Sequence, residues 1–405
     1  MKKSCVHLAR DTSGNVAILF AIIFVPLLLI GAFAIDSSRH LNSNQHLQAA
    51  IDAASLAGAR ALEDATKTDA EITTIAQATY KANLVGTPGD VSCVDSTVTI
   101  NRNTGTVSVA AACKTQTLLG ASLTRDDMDS ISQSTARANL TKLDLALMLD
   151  VSGSMGGQKL TDLKTAAKQA ASTLITPSSG DRVRISFVSY ANAVNAGEYG
   201  NPALGLPDDD DGDGDGLDKV CVSERTGAAA WKDSKPGMGK WVGDKAGSCP
   251  KSSLLPLTDD LDEFNTEIDK LTAGGSTAGH LGVAWSWYLI APAWKSIWPS
   301  ESEPLAYTEP NTIKAVILMT DGKFNQSYEN TMGNSNKQAK KMCKKMRNEN
   351  VRIYAVAFKA PESAKKTLKN CTGDDSLFFD AGNGAELLAA YDAIASQLSA
   401  LTLVN

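Results

Sequence analysis

Three oxygen-bearing side chains crowd into one short loop: Asp150, Ser152 and Ser154, at the end of the stretch LDLALMLDVSGSMGG (Leu143 to Gly157). The apolar run before them reads as a buried strand. Gly153, Gly156 and Gly157 break it into a tight loop. One carboxylate and two hydroxyls are the ligands that a hard divalent cation prefers, Mg²⁺ among them. A plainer reading is also open: the same residue types cap helices. The segment that follows, Lys159 to Ile175, has the spacing of an amphipathic helix, with Leu160, Leu163, Ala167, Ala170 and Leu174 on one side. Strand, loop and helix in that order place the loop at the carboxyl end of a sheet, where open α/β folds bind ligands.

This loop resembles the D-x-S-x-S motif of von Willebrand factor A domains, the first part of their metal-ion-dependent adhesion site. Two later segments fit the same order. In AGGSTAGHLGVAW (Ala273 to Trp285) the resemblance implies a metal-binding threonine at Thr277, with Ser276 as a second candidate. In TIKAVILMTDGKFN (Thr312 to Asn325) it implies a second acidic residue at Asp321. The implied metal set is therefore Asp150, Ser152, Ser154, Thr277 and Asp321. It would hold Mg²⁺, Mn²⁺ or Ca²⁺ and leave one position open for a carboxylate from a partner protein.

The elements that must position this set belong to a chain of 405 residues, long enough for two or three domains. Hydrophobic and charged residues make up 43% and 21%, the balance of an ordinary globular protein. A net charge of −6 and no clustering of the kind nucleic acid requires argue against a nucleic-acid partner.

Residues 1–15 are polar, with Lys2, Lys3 and Arg10, and residues 16–35 (VAILFAIIFVPLLLIGAFAI) carry no charge. That length matches the ~20 residues needed to span a bilayer as a helix, and Pro26 is tolerable there. The basic flank predicts a cytoplasmic N-terminus and an exterior location for everything after Asp36. Two other readings exist. Ala32-Phe33-Ala34 could be a signal-peptidase site, although the apolar core is long for one. A pilin-type leader could end at Gly14, but the fifth residue after it is Leu19 rather than Glu.

Residues 36–86 are expected to continue as helix to about Lys81. The run contains Ala49, Ala50, Ala53, Ala54, Ala57, Gly58 and Ala61, small residues that permit close helix approach. They could pack on their own domain or on other subunits. The sequences GNVAILFAIIFVPLLLIGAFAID and QAAIDAASLAGA resemble the N-terminus of TadG-type proteins of the Tad (Flp) pilus system. The resemblance implies an inner-membrane, single-pass protein of the bacterial envelope. Its bulk would be periplasmic or surface-exposed, and its partners would include pilus components.

Residues 87–142 form a small β-rich region. STVTI and TVSVA flank Asn103-Thr104-Gly105 as a β-hairpin. Cys93 and Cys113 bracket it nearly symmetrically, which predicts a disulfide. The α/β domain, residues 143–405, is expected to have a mainly parallel sheet with helices on both faces. Residues 193–256 interrupt it as a surface insertion, stapled by Cys221 and Cys249. Cys343 and Cys371 form a third local pair, and Cys5 falls on the cytoplasmic side, the split expected between oxidising and reducing compartments.

Within the insertion, DDDDGDGDGLD includes Asp211, Asp213, Asp215 and Gly216, the first half of a calcium loop. The twelfth position, where an EF-hand has Glu, is Val222. The segment is either a weak calcium site or a solvated acidic loop. An enzyme is not expected. His280 is the one histidine near the motifs and could serve as a base for metal-assisted hydrolysis, or could simply start a helix. No Gly-x-Ser-x-Gly, HExxH or phosphate loop is present. A purely structural pilus or envelope scaffold with a stabilising metal is the third reading.

Overall fold

The computed structural model describes residues 15–85, 91–117, 127–207 and 220–404. It divides into two compact units, residues 1–138 and 139–405.

In the first unit, helix α1 (Asn15–Leu62) runs unbroken through 48 residues, Pro26 included. Its first half is exposed at almost every position, and among the described helices it is the one long and apolar enough to cross a membrane. After Asp36 the pattern changes. Leu47, Ala50, Ile51 and Ala54 recur at helical spacing and are fully buried. This face packs on strands β3 and β4 of the same unit.

The expected helix to Lys81 is instead two helices. The break falls at residues 63–68, and α2 (Asp69–Asn83) restarts with a capping box: Thr68 accepts from the Glu71 backbone N–H, and the Glu71 carboxylate accepts from the Thr68 N–H. Once Thr68 takes the N-cap conformation it cannot continue the preceding helix.

Strands β1 (Val91–Cys93) and β2 (Thr97–Asn101) lie along one edge of β3 (Thr106–Gln116), and β4 (Asp127–Arg137) lies along the other, all antiparallel. Cys93 stands directly opposite Cys113 in register, and a disulfide joins them. Gly58 lets α1 approach this sheet: a Cβ there would stand 2.8 Å from Val107 Cγ1. The small residues Ala50, Ala54, Gly58 and Ala61 are thus buried in their own unit, while Ala53 and Ala57 are partly covered and Ala49 is exposed.

The second unit is built on β5 (Lys142–Asp150), whose residues beyond Lys142 are all buried. It is followed by α3 (Gln158–Leu174), β6 (Val183–Tyr190), β7 (Val194–Asn195), the short α4 (Gly200–Leu204), β8 (Cys221–Val222), β9 (Leu255–Thr258), α5 (Leu261–Asp269) and α6 (Gly279–Tyr288). Then come β10 (Thr312–Thr320), α7 (Ser335–Asn348), β11 (Arg352–Phe358), α8 (Glu362–Thr372), β12 (Phe378–Ala381) and α9 (Gly384–Val404). The sheet order is β12-β11-β10-β5-β6-β7-β8, with β9 also on β6. Strands β12, β11, β10, β5 and β6 are parallel; β7, β8 and β9 are antiparallel additions.

Alternate residues of β5 serve opposite faces. Leu145, Leu147 and Leu149 join a core with side chains of α3, α5 and α9, while Ala146 and Met148 join one with side chains of α6, α7 and α8. Near the amino end of β5, buried Asp144 accepts from Lys314 Nζ (2.8 Å), Arg184 Nη2 (2.7 Å) and the Leu305 N–H (2.9 Å).

The described part of the segment 193–256 departs from the expected surface insertion. Ala193, Val194, Ala196, Ala203, Val222, Val242 and Leu254 all sit in the second of these cores. The guanidinium of Arg225 is buried with them, about 5.5 Å from the Tyr288 and Trp294 ring centres, and donates to the carbonyls of Lys232, Ser234 and Lys240. Gly- and Pro-rich composition concealed this because the segment is buried through single residues and backbone contacts rather than through apolar runs. β9, which the sequence reading also passed over, closes the segment against β6. The disulfide Cys221–Cys249 ties β8 to the stretch before β9. The disulfide Cys343–Cys371, the third expected pair, joins two helices, α7 and α8.

Candidate metal centre

β5 and β10 are parallel neighbours, so their carboxyl ends emerge side by side. Asp150 ends β5, and Asp321 immediately follows β10. β6 is the other parallel neighbour of β5, and its last residue, Tyr190, is in register with Asp150. Two acidic side chains, a phenol and the hydroxyls of the β5–α3 loop are thereby brought to one end of the sheet, as the strand–loop–helix order predicts.

The Asp150 carboxylate is fully buried. Its Oδ1 accepts from the Ser152 backbone N–H at 2.8 Å. Its Oδ2 accepts from Thr320 Oγ1 at 2.6 Å and Tyr190 OH at 3.1 Å. Ser152 Oγ and Ser154 Oγ are 3.1 Å apart, and Ser154 Oγ donates to Asp321 Oδ1 at 2.6 Å. The other Asp321 oxygen, Oδ2, takes the Lys159 ammonium at 2.6 Å. Thr277 Oγ1 and Ser154 Oγ lie 3.6 and 3.7 Å from where a Cβ on Gly322 would stand, so both flank the residue after Asp321.

Backbone hydrogen bonds lock the loops together. The Gly153 N–H donates to the Gly275 carbonyl (2.9 Å) and the Gly274 N–H to the Val151 carbonyl (2.8 Å). Gly275 has φ +83°, and a Cβ on it would stand 2.5 Å from Asn192 Oδ1, so this crossing needs glycine. Thr277 is fixed from the other side: its N–H donates to Asn325 Oδ1 (3.0 Å), and its carbonyl accepts from the Asn325 N–H (2.9 Å). Thr277, rather than Ser276, is the hydroxyl that lies near Gly322.

Burial is the main force on Asp150 and raises its pKa above the ordinary 3.8; the hydrogen bonds from Ser152 and Thr320 oppose this, and the charge of Asp321 adds to it. Burial beside Asp150 also pushes the Tyr190 hydroxyl well up, so it stays a donor. A divalent cation would relieve the cost of holding two carboxylates together. The donor set fits one: two carboxylates and three hydroxyls are hard oxygen ligands, suited to Mg²⁺, Mn²⁺ or Ca²⁺. Among the described residues no group of three or more His, Cys, Asp or Glu could hold a metal.

The residues Tyr190, Thr320, Lys159 and Asn325 were not picked out from the sequence. Register beside Asp150 identifies Tyr190 once the strands are paired, and adjacency to Asp321 would have suggested Thr320. His280 is fully buried, with Nδ1 2.8 Å from Ser335 Oγ and Nε2 3.5 Å from Glu224 Oε2. Both ring nitrogens thus face buried groups. The residues Asp211, Asp213 and Asp215 lie outside the described residues. Val222, at the twelfth position of that pattern, is a buried strand residue paired with Val194.

Residues 14–61 match the family described as "Putative Flp pilus-assembly TadE/G-like". That match covers α1 and stops before the sheet of the first unit. A search of curated proteins found no significant match. Among solved structures, the von Willebrand domain of the type V pili tip protein Mfa5 from Porphyromonas gingivalis is 13% identical, covering 64% of this chain and 95% of that one, with a TM-score of 0.40. The pilus adhesin SpaC from Lactobacillus rhamnosus GG is 11% identical over 76% of this chain and 34% of its own, with a TM-score of 0.41. Proximal thread matrix protein 1 from the mussel byssus, with a zinc-occupied metal-ion-dependent adhesion motif, is 12% identical over 63% and 47%, with a TM-score of 0.36. This chain thus spans only about a third and a half of the latter two. The second unit has a mainly parallel sheet with helices on both faces, and Asp150 and Asp321 stand at adjacent strand ends.

Proposed function

We propose that this chain is a membrane-anchored, metal-dependent protein-binding component of Tad pilus assembly or surface attachment. One observation carries the reading: Asp150, Ser152, Ser154 and Asp321 form a single hydrogen-bonded cluster at the carboxyl ends of β5 and β10, with Thr277 beside it. In this reading Asp150, Ser152, Ser154, Thr277 and Asp321 hold Mg²⁺, or Mn²⁺ or Ca²⁺ in its place. The cation supplies a Lewis-acidic position for a carboxylate of the partner, a protein such as a pilus component. The buried Tyr190 and Thr320 hold the Asp150 carboxylate in place.

The apolar start of α1 supports a single inner-membrane span. The basic residues ahead of it support a cytoplasmic N-terminus, with the second unit in the periplasm or at the surface. The three disulfides suit that oxidising side.

The test is calorimetric titration of Mg²⁺, Mn²⁺ and Ca²⁺ into the full chain in detergent. Asp150→Ala and a variant with Asp211, Asp213 and Asp215 changed to Asn are titrated alongside. Loss of binding in Asp150→Ala alone supports the reading. Loss in the acidic-segment variant alone moves the metal to that segment. A purely structural scaffold, with a metal that only stabilises the second unit, is the alternative reading. It predicts that Thr277→Ala leaves every partner interaction intact.

A further inference from the structure

Lys159 pairs directly with the proposed metal set, and nothing in that reading uses it. Its ammonium lies 2.6 Å from Asp321 Oδ2; the lysine side chain keeps 27% exposure, and that of Asp321 has none. Lys159 also stands in the first turn of α3, where the helix dipole opposes a positive charge. That turn carries no acidic residue, and the N-cap, Gly157, offers no side-chain cap. The placement therefore depends on Asp321.

We infer that Lys159 is an exchangeable counter-ion of the metal site: it holds Asp321 until a divalent cation enters, and it sets the affinity of the site by having to let go. This rests on the metal-binding reading above. Asp321 spends Oδ1 on Ser154 and Oδ2 on Lys159. Each oxygen keeps a free lone pair, but a cation on Asp321 would stand beside the ammonium, and like charges this close repel. The long, partly exposed stem of Lys159 can swing to solvent, whereas Ser154 is fixed by its loop.

The experiment is Mn²⁺ titration of the full chain in detergent, with free Mn²⁺ counted by electron paramagnetic resonance. Lys159→Met, Lys159→Arg, Asp150→Ala and the double variant Lys159→Met/Asp150→Ala are compared with wild type. Tryptophan fluorescence checks that each variant is folded. Removing a unit charge this near a dication is expected to tighten Mn²⁺ binding roughly tenfold or more. Lys159→Arg should stay within roughly threefold of wild type, and the gain should vanish in the double variant. Equal or weaker binding in Lys159→Met, with binding still lost in Asp150→Ala, overturns the counter-ion role and leaves the metal site standing. If neither wild type nor Lys159→Met binds Mn²⁺, both the site and the counter-ion role are refuted. Binding in Lys159→Met alone is the strongest form of the result expected.

Discussion

Replacing Asp144 by Ala should separate the stability of the second unit from its metal site. Asp144 is wholly buried in β5 and receives Lys314, Arg184 and the Leu305 N–H. Lys314 is itself only 4% exposed at its side chain. Burial pulls its pKa down, and the charge and hydrogen bond of Asp144 oppose that. Without Asp144, a buried ammonium loses its counter-charge, a situation that costs about 3–5 kcal/mol. The cost should stay below the upper end because Lys314 keeps its bond to the Ile290 carbonyl and can lose its proton.

All six tryptophans, Trp231, Trp241, Trp285, Trp287, Trp294 and Trp298, fall in the second unit, so their fluorescence reports its unfolding alone. In urea titrations the midpoint should drop with little change of slope, corresponding to a loss of about 3–4 kcal/mol. Mg²⁺ affinity should be unchanged, because six residues of strand, roughly 20 Å, separate Asp144 from Asp150. A loss below about 1 kcal/mol would refute the argument that this network holds a charge the fold cannot leave unpaired.

Two further outcomes are expected. Gly58→Leu forces side-chain atoms into Val107, where even a Cβ lies at 2.8 Å. The overpacking cost of about 1–3 kcal/mol exceeds the helix-propensity gain of just under about 1 kcal/mol. Faster hydrogen exchange of the β3 amides would show it, and unchanged protection would contradict the close approach. Metal binding should weaken on acidification at a pH above the ordinary 3.8 of an aspartate, because burial raises the Asp150 pKa and only the ionised form binds a cation. Without metal the sign reverses: the raised pKa means the carboxylate costs the fold stability as pH rises through it. A Mg²⁺ titration series across pH 3.5–7 checks the first, and a midpoint at or below 3.8 would contradict it.

Much of the second unit was legible because its strands are buried on both faces. LDLALMLD, RVRISFVSY and TIKAVILMT are apolar runs that end at residues of different chemistry, and the loops follow from those ends. Asp150 could be read from the end of such a run, Asp321 and Thr277 came from the resemblance, and the fold adds that these residues cluster. The break after Leu62 was written in the Thr68–Glu71 capping box, but an alanine-rich pattern on both sides masked it. Residues 193–256 were not legible. The burial of their described part depends on Arg225 stacking and on two-residue strands, which no periodicity reveals. Lys159 was missed because a lysine on a helix reads as solvated until the partner, 162 residues away, is placed beside it.

The most direct measurement of the central claim is a crystal structure of the full chain with Mn²⁺, read by anomalous scattering. The account predicts one peak among Asp150, Ser152, Ser154, Thr277 and Asp321, with oxygen ligands at roughly 2.1–2.3 Å, and Lys159 moved off Asp321. A map with no peak there and Lys159 still paired to Asp321, or with Mn²⁺ held by residues 208–218 instead, would contradict it.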